Sequence, residues 1–382
     1  MNNVSIKKVF SLLTVLSLLW GIFGIPVVGQ WEGDVSLAEN VIYLIGDGMG
    51  YDHWKMCKQE SGTDKLFIEE GFEYYGFSKT RSLTNAVTDS AAGGTALATG
   101  VRTYNGAIGV YLYNPLAIGS SPKNLCELAM EKGLMTGVVT SDSDDGATPS
   151  AFSSHSVARN MSLDLSMQHV ESGIDLIWTA SSGNITAETV KGTEYTLITN
   201  SDELDALPDG VKSIGQFNTD LWARENDDNC PTLSELTVEA IDRLDDKDGF
   251  FLMVEGAHID KHSHSNDVAK MTEAMLEFDK TVKAAVDYAK ADGNTIVIVT
   301  ADHETGGIVY KDGKYSYTQG SHSATNVPVC VYGTDDFIAE GDTINNVDIP
   351  VFISKALGAD EEAFPASVPS SFNFKYIIAD LF

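Results

Sequence analysis

Short apolar runs alternate with longer amphipathic stretches along most of the chain. Four of the short apolar runs predict buried strands, at residues 41–45, 136–140, 250–254 and 295–300. The amphipathic stretches between or beside them predict helices at residues 125–132, 232–244 and 271–291. This alternation predicts an α/β fold with a mostly parallel central sheet and helices on both of its faces.

Residues 1–38 differ from the rest of the pattern. Two lysines precede an apolar stretch that runs from Val9 to about Val28, and a segment of small residues ending at Ala38 follows it. This order of features predicts a secretory signal peptide whose cleavage position is open, and therefore a secreted or periplasmic protein. The apolar stretch is almost long enough to span a bilayer, so an uncleaved anchor is the alternative. No second stretch of that length follows, and we expect no membrane insertion of the mature part.

The composition is that of an acidic chain with a large core. The 382 residues include 55 acidic and 25 basic side chains, with a formal net charge of -30 at pH 7. This charge repels nucleic acid and anionic membranes, so we expect neither as a partner. Hydrophobic residues make up 43% of the chain, and no repeat or linker marks a boundary, so residues 39–382 are expected to form a single domain. Residues 178–231 are acidic and broken by glycine and proline, which predicts a peripheral insertion over the sheet. Cys126 and Cys330 lie in apolar patterns and are expected in the core.

Acidic, imidazole and hydroxyl side chains follow the four predicted strands. In chain order they are Asp47, Thr148, Glu255, Asp260, His264, Asp302 and His303. In open α/β sheets, ligands bind outside the carboxyl ends of the strands, so we expect these side chains at one edge. Asp and His around an open coordination position are typical of catalytic zinc, whereas all-oxygen sets suit magnesium. The sequence therefore favours a metal site at this edge of the sheet.

The spacing of three of the histidines adds detail. Asp260 and His264 lie one helical turn apart if a helix begins there, and His262 lies between them as a competing ligand. His322 comes just before the last apolar run of the chain. Any one of these residues is more often a turn or cap residue than a ligand, but together they favour a metal site.

Ser90 lies at the start of a run of small residues. Asp89 before this run and Gly100 after it predict a helix with Ser90 in its first turn. The unpaired N–H groups and the positive dipole end of a helix N-terminus bind anions, so Ser90 is a candidate nucleophile toward a phosphate. Taken alone, this stretch is better explained as an ordinary capped helix. The candidate metal ligands elsewhere in the chain favour the nucleophile.

These segments resemble the motif set of the alkaline phosphatases. The matching segments are Gly46-Asp47-Gly48, Asp89-Ser90-Ala91-Ala92, residues 254–261 with His264, residues 300–307, and His322. Their order and spacing agree with the family from about residue 41 to residue 322, which is most of the mature chain. The resemblance implies the alkaline phosphatase fold, and hydrolysis of phosphate monoesters to an alcohol and inorganic phosphate through a phosphoserine.

The resemblance also implies two zinc ions and one magnesium ion. The ligands of the first zinc would be Asp260, His264 and His322. Those of the second zinc would be Asp47, Asp302 and His303. Those of the magnesium would be Asp47, Thr148 and Glu255. Ser90 matches the nucleophile that becomes phosphorylated, and Arg159 matches the arginine that binds two phosphate oxygens.

Two departures from the family pattern affect these expectations. Many members carry Asp or His two residues before the threonine, where this chain has Gly146. Either Asp144 or Asp145 shifts into that place, or the magnesium is held loosely; Lys261, which matches a lysine in some members, could also bind phosphate through a water. The short interval 308–321 implies a short crown region, and the resemblance implies a homodimer.

Two other functions remain open at this point. A phosphodiesterase or nucleotide pyrophosphatase of the same superfamily would share the architecture, although those enzymes generally use a threonine nucleophile without the pair of Asp89 and Ser90. A protein that binds metal without turnover is the alternative from another class.

Overall fold

The computed structural model describes residues 28–29, 31–111, 121–218, 229–245, 248–359 and 364–365. Most of the predicted signal peptide, namely residues 1–27 and residue 30, lies outside this description. Within the described ranges, no helix combines the length and the apolar character that a membrane span requires.

The described residues form helices and strands in alternation. The strands are β1 (Asn40–Gly46), β2 (Tyr74–Lys79), β3 (Met135–Ser143), β4 (Leu176–Ala180), β5 (Thr196–Ile198), β6 (Ser213–Gln216), β7 (Phe250–Gly256), β8 (Thr295–Thr300), β9 (Glu304–Thr305), β10 (Val309–Lys311), β11 (Lys314–Ser316), β12 (His322–Ser323), β13 (Val327–Tyr332) and β14 (Thr343–Asn345). The helices are α1 (Tyr51–Ser61), α2 (Ser90–Thr99), α3 (Leu125–Glu131), α4 (Ala147–Ala151), α5 (Ser162–Glu171), α6 (Ala187–Val190), α7 (Ser201–Asp205), α8 (Leu233–Leu244), α9 (His258–His264), α10 (Val268–Asp292) and α11 (Asp348–Ala356).

The central sheet has its four predicted strands side by side. Its order is β14-β2-β13-β8-β1-β7-β3-β4-β6-β5. Strand β13 runs antiparallel to β2 and β8, and the other pairs in this sheet are parallel. The predicted strands are β1, β3, β7 and β8, whose carboxyl ends meet at one edge: Ile45 at the end of β1 lies opposite Glu255 on one side and Thr300 on the other.

Helices cover both faces of this sheet, because successive side chains of a strand point to opposite sides. Along β1, Leu44 contributes to one core cluster, and Tyr43 and Ile45 contribute to the other. Helices α1, α8 and α10 close the first cluster, and helices α2, α3 and α11 close the second. Cys126 and Cys330 are buried in these clusters, as predicted. The predicted α/β architecture is confirmed.

The prediction of a peripheral insertion at residues 178–231 is wrong. The described residues of this region contribute β4, β6 and β5, which extend the parallel sheet at one edge. Trp178 in β4 is buried and lies opposite Val139 of β3 and Gly215 of β6. These three strands have five, four and three residues, too few to show a period in the sequence.

The predicted short crown region contains a small β-hairpin. Strands β10 and β11 pair with Val309 opposite Ser316, and the turn is made by Asp312 and Gly313, with φ of 54° and 82°. Val309 and Tyr310 are exposed on this hairpin. The homodimer stays a prediction.

The end of the predicted signal peptide lies against helix α11. The ring of Trp31 meets that of Phe352 edge-on, with centroids 5.3 Å apart, and the Ala38 amide donates to the Ala356 carbonyl at 2.9 Å. Cleavage after Ala38 would remove these contacts, whereas cleavage closer to the apolar stretch would keep them. The cleavage position also stays a prediction.

Candidate active site

The turn after β1 brings Asp47 to the edge of the sheet. The Asp47 amide donates to the Gly256 carbonyl at 3.2 Å, which fixes the turn against β7. Gly48 then adopts a φ of 71°, in the left-handed region that favours glycine. A Cβ on Gly48 would also lie 2.8 Å from Asp260 Oδ1. Glycine at this position therefore lets Asp47 lie close to helix α9.

Helix α2 begins at Ser90, as predicted. The Asp89 side chain caps it by accepting a hydrogen bond from the Ala92 amide at 3.0 Å, and Gly100 ends it with a φ of 70°. A Cβ on Gly93 would lie 3.0 Å from the Asp302 carbonyl oxygen, so this glycine lets α2 pack closely against the loop after β8. Ser90 is thereby held in the first helical turn with only 5% of its surface exposed.

Three predicted ligands meet at the outer part of the site, and we call them the rim group: Asp260, His264 and His322. One ligand atom of each lies within 4.8 Å of the others. Asp260 and His264 lie on α9, as predicted, with His264 Nε2 3.3 Å from Asp260 Oδ2. The expected competitor His262 is outside this group, and its ring stacks on that of His258 with centroids 5.6 Å apart. The structure thus brings together the set expected for the first zinc.

The two rings of the rim group have their tautomers fixed by the backbone. Nδ1 of His264 lies 2.9 Å from the Gly320 carbonyl, and Nδ1 of His322 lies 2.9 Å from the Thr88 carbonyl. Because a carbonyl oxygen only accepts, each neutral ring donates from Nδ1 and keeps a lone pair on Nε2. The two Nε2 atoms are 3.1 Å apart. Two lone pairs at this distance repel unless a cation or a proton lies between them.

A second set of predicted ligands is buried below the rim, and we call it the deep group: Asp47, Asp302 and His303. His303 Nε2 lies 3.6 Å from Asp47 Oδ1 and 3.1 Å from Asp302 Oδ2. Neither of these two carboxylate oxygens has a hydrogen-bond partner among the described residues. Ligand atoms of Asp47, Asp260 and His303 also lie within 4.8 Å of one another, so Asp260 joins the two groups. The deep group has the donor set expected for the second zinc.

Ser90 lies where the two groups meet. Its Oγ is 3.2 Å from His303 Nε2 of the deep group. The His303 ring stacks on the His322 ring of the rim group, with centroids 3.6 Å apart. The hydroxyl therefore faces both groups from the N-terminus of α2.

The residues expected around magnesium present unpartnered oxygens. Asp47 Oδ1, Thr148 Oγ1 and Glu255 Oε1 are buried without a hydrogen-bond partner in the part of the chain that the structure describes. The other oxygen of Glu255 accepts from the Thr140 hydroxyl. Leaving such a group buried and unpaired costs about 1–3 kcal/mol, and more for a charge. An all-oxygen set of this kind suits a magnesium ion.

Negative charge accumulates in this buried region. Burial, followed by the charges of Asp302, Asp260, Glu255 and Asp142, raises the pKa of Asp47 well above its usual value. Burial and then the Asp142 carboxylate raise the pKa of Glu255 to about 8. Without a cation, the folded chain therefore opposes ionisation of these carboxyl groups, and a divalent cation would remove that opposition.

The rim group has a different electrostatic balance. The hydrogen bond with Asp260 raises the pKa of His264 to about 9. Burial acts to raise the pKa of Asp260, but the hydrogen bond from His264 and the charge of His303 outweigh it and lower that pKa. In the absence of a cation, a proton on His264 can therefore balance the Asp260 carboxylate.

Arg159 lies beside the N-terminus of helix α2. Its amide donates to the Gly106 carbonyl at 2.7 Å, and its Nη1 lies 3.4 Å from Asp89 Oδ2. Its side chain is 43% exposed, so the guanidinium can reach a bound anion from the solvent side. The structure thus brings Arg159 to the helix that carries Ser90.

The sequence did not single out Asp142. Its carboxylate forms an ion pair with Lys261 and lies directly in front of Gly146. The two residues expected at that place are held elsewhere: Asp144 Oδ1 accepts from the Ser182 amide, and Asp145 accepts from the hydroxyls of Ser143 and Ser162. Asp142 belongs to the same acidic run as Asp144 and Asp145. The composition of this run indicated the region, but not which of its residues lies in front of Gly146.

Comparison with known proteins shows the family of the chain. The fold and the candidate site are those expected of a metal-dependent hydrolase. The family model for alkaline phosphatase matches residues 38–192 and 183–360. The chain is 34% identical to alkaline phosphatase 4 of Bacillus subtilis (strain 168) over 330 residues, which cover 79% of this chain and 70% of that protein. The chain therefore belongs to the alkaline phosphatase family.

Solved structures agree with the fold. A variant of the alkaline phosphatase of the Antarctic bacterium TAB5, with magnesium bound in its M3 site, superposes with a TM-score of 0.73 at 29% identity, over 86% of this chain and 100% of that chain. The alkaline phosphatase of Thermus thermophilus gives a TM-score of 0.75 at 19% identity, over 86% and 93% of the two chains, which supports the fold alone. Of the functions left open by the sequence, enzymatic hydrolysis of phosphate monoesters is the one that family membership supports.

Proposed function

We propose that this enzyme cleaves phosphate monoesters through a phosphoserine on Ser90, with zinc in the rim group and in the deep group. The observation that carries this proposal is the Ser90 hydroxyl at the N-terminus of α2, 3.2 Å from His303 Nε2. A nucleophile between two ligand sets suits an in-line displacement, in which the attacking and the leaving oxygens lie on opposite sides of phosphorus.

The third cation of the proposal is magnesium, held by Asp47, Thr148 and Glu255. The three buried oxygens without a partner among the described residues support it. The TAB5 variant with magnesium in its M3 site supports it by similarity. The expected stoichiometry is therefore two zinc ions and one magnesium ion per chain.

When bound, the cations would lower the pKa of the Ser90 hydroxyl and offset the charge that develops on the oxygens of the reacting phosphate. In the first step the Ser90 hydroxyl gives its proton to solvent, its Oγ bonds to phosphorus, the ester P–O bond breaks, and the ester oxygen takes up a proton from solvent and leaves as the alcohol. In the second step the oxygen of a water bonds to phosphorus as the water loses a proton, the bond to Ser90 Oγ breaks, Oγ takes up a proton, and inorganic phosphate leaves.

Two features of the chain orient the phosphate for both steps. The N-terminal amides and the dipole of α2 attract its negative charge to the position beside Ser90. The Arg159 guanidinium, with its planar fork of N–H donors, suits two of the oxygens that do not react. Asp89 caps α2 and lies 3.4 Å from Arg159 Nη1, so it links the helix to the arginine.

Trapping the phosphoserine tests this mechanism. The protein is mixed with a labelled phosphate monoester and quenched in acid, and the label is mapped by mass spectrometry. The expected site is Ser90. In Ser90→Ala, the label should disappear and the rate should fall by up to about 10⁶-fold, as when other hydrolases lose a serine nucleophile, while zinc is retained. The matched control is Ser354→Ala, since Ser354 is a buried serine whose hydroxyl bonds to the Val351 carbonyl on α11. A label on another residue, or turnover by Ser90→Ala near that of the control, would contradict the mechanism.

Two further proposals concern location and assembly. We propose export to the periplasm or the medium, supported by the predicted signal peptide within residues 1–38. N-terminal sequencing of the exported protein should find a start within or just after that range.

We also propose a homodimer, supported by resemblance to the family. Sedimentation of the purified protein should give about twice the mass of one chain, and a monomer would contradict this proposal.

A further inference from the structure

The atoms around Gly146 leave no room for a side chain at this position. Its φ of -58° and ψ of 146° are accessible to any residue, so the backbone does not require glycine. A Cβ there would lie 2.5 Å from Asp142 Oδ2, 2.7 Å from Asp142 Cγ and 2.9 Å from the Ser143 carbonyl oxygen. The Asp142 carboxylate therefore occupies the volume that a side chain at position 146 would need.

Only one of the two oxygens of the Asp142 carboxylate accepts hydrogen bonds from the described residues. Its Oδ1 accepts from the Ser143 amide at 2.8 Å and from the Lys261 ammonium. Its Oδ2, which faces Gly146, accepts no hydrogen bond from any residue that the structure describes. The side chain is only 15% exposed. Asp142 thus presents one oxygen of a fixed and mostly buried side chain toward the start of α4.

Asp142 is linked to the residues expected around magnesium. The Thr140 hydroxyl accepts from the Asp142 amide at 2.8 Å and donates to Glu255, which lies opposite Thr140 in the register of β3 and β7. Thr148 follows Gly146 by two residues on α4, and its hydroxyl is unpartnered among the described residues. Asp142 is therefore tied through one hydroxyl to Glu255 and through the loop to Thr148.

We propose that Asp142 supplies the magnesium position with the carboxylate that residue 146 does not, and that Lys261 holds this carboxylate in place. The proposal rests on the magnesium site of the proposed function. Because magnesium keeps several of its waters in proteins, a carboxylate contributes there either as a ligand or by accepting hydrogen bonds from those waters. Asp145 accepts from the hydroxyls of Ser143 and Ser162, and Asp144 Oδ1 accepts from the Ser182 amide, whereas Asp144 Oδ2 is buried without a partner among the described residues. Of these three acids, Asp142 is the one whose carboxylate is among the atoms nearest to a Cβ at position 146.

Magnesium binding by Asp142→Asn tests this proposal. Zinc-loaded protein is freed of magnesium and titrated with MgCl₂ in a calorimeter, and zinc content is measured on the same samples. The wild type should bind about one magnesium per chain. Asp142→Asn keeps the size of the side chain and should weaken magnesium binding about 10- to 100-fold, the range for groups that support a metal site. The matched control Asp145→Asn removes a neighbouring charge in the same loop and should bind magnesium as the wild type does.

A second variant disturbs the position of the same Asp142 oxygen without removing any carboxylate. Gly146→Ala adds a Cβ that displaces Asp142, and it should weaken magnesium binding in the same direction. Unchanged magnesium binding by folded Asp142→Asn, or a wild type that binds zinc but no magnesium, would overturn the proposal. In the first case, intact zinc content and phosphoserine on Ser90 would leave the proposed function standing. In the second case, they would leave the two-zinc phosphoserine mechanism standing, but the magnesium part of the proposed function would fall with this proposal. Loss of zinc and phosphoserine from the wild type itself would instead contradict the proposed function.

Discussion

The rim group and the deep group differ in how their side chains are satisfied without a cation. In the rim group, the His264 side chain is 41% exposed and lies 3.3 Å from Asp260, so a proton and solvent can balance the charge. In the deep group, Asp302 and His303 are fully buried. The facing oxygens of Asp302 and Asp47 have no hydrogen-bond partner within the described ranges.

This difference assigns different roles to the two cations. Removing buried carboxylates from water is costly unless an opposite charge compensates. In the deep group, Asp47 Oδ1 and Asp302 Oδ2 are buried without a hydrogen-bond partner among the described residues, so its cation should be needed for the folded site as well as for the reaction. The rim group has a substitute in the proton on His264, so its cation should exchange more easily.

The largest expected effect is that of Asp302→Ala in the deep group. The variant loses a buried carboxylate that also accepts from the amides of Gly48 and His303, so both the cation and the loop after β8 are affected. The rate should fall by more than about 100-fold, the upper limit for residues that only support a metal ligand, and the zinc content should drop. Asp287→Ala, which removes the surface partner of Lys283 on α10, is the control and should keep the rate and the zinc. Full zinc occupancy in Asp302→Ala would remove the distinction between the two groups.

A smaller effect is expected for His264→Ala in the rim group. Removing this exposed ligand should release one zinc and lower the rate by at least about 10-fold, the lower limit for residues that only support a metal ligand, while the zinc of the deep group stays bound. Metal analysis of the purified variant measures both. The matched control is His262→Ala, a histidine on the same helix that lies outside the rim group, and it should retain both zinc ions. Loss of both zinc ions from His264→Ala would show that the groups are not separable.

Arg159→Ala should have a weaker effect than either ligand substitution. The guanidinium is 43% exposed, so water and salt can partly replace it at the phosphate. We expect kcat/KM to fall about tenfold, consistent with the loss of a charged hydrogen bond, with the zinc content unchanged. Arg159→Lys keeps the charge without the fork and should recover only part of the loss. A complete recovery by lysine would show that the fork does not orient the phosphate.

The smallest effect concerns burial of charge away from the cations. Burial, opposed by Asp144, lowers the pKa of His169 to about 4. The folded chain then binds fewer protons than the unfolded chain, whose histidine titrates near 6.5. This histidine therefore destabilises the fold as the pH falls from about 6.5 toward 4, by up to about 1.4 kcal/mol per pH unit.

His169→Phe should remove this pH dependence. Urea unfolding of the chelated protein at pH 7 and at pH 5 gives the change in the free energy of unfolding for each chain. Between pH 7 and pH 5, the free energy of unfolding should fall less in the variant than in the wild type. A change in stability that the phenylalanine ring causes equally at both pH values does not affect this comparison. An equal loss in both chains would show that His169 is not the group that titrates.

The centre of the fold could be predicted because its strands are long and uninterrupted. The run at 250–254 is apolar throughout and the run at 295–300 is apolar between two threonines, and they form β7 and β8 with nearly the same bounds. The edge strands β5 and β6 could not be predicted in this way. The four residues of β6 pair with β4, and the three residues of β5 pair with β6, so each strand depends on a neighbour that is distant in the sequence pattern.

The candidate site also contains residues that could be predicted from the sequence and one residue that could not. Most of the candidate ligand residues could be predicted because they follow a strand end or lie on a helix at a fixed spacing, as Asp260 and His264 do. His322, which precedes β13, was indicated by the resemblance to the family. The position of Asp142 could not be predicted. It depends on the absence of a side chain at Gly146 and on the ion pair with Lys261, which extends from helix α9. Contacts that depend on side-chain conformation between distant segments leave no period or spacing in a sequence.

Anomalous diffraction at the zinc edge, from crystals of the zinc-loaded protein, tests the two-group arrangement most directly. The expected result is two peaks per chain, one among Asp260, His264 and His322 and the other among Asp47, Asp302 and His303, with the Ser90 hydroxyl facing both. Two peaks in these places would establish the rim and deep groups as metal sites. A zinc-containing crystal whose peaks lie elsewhere, or with a peak in neither group, would contradict the arrangement and the mechanism built on it.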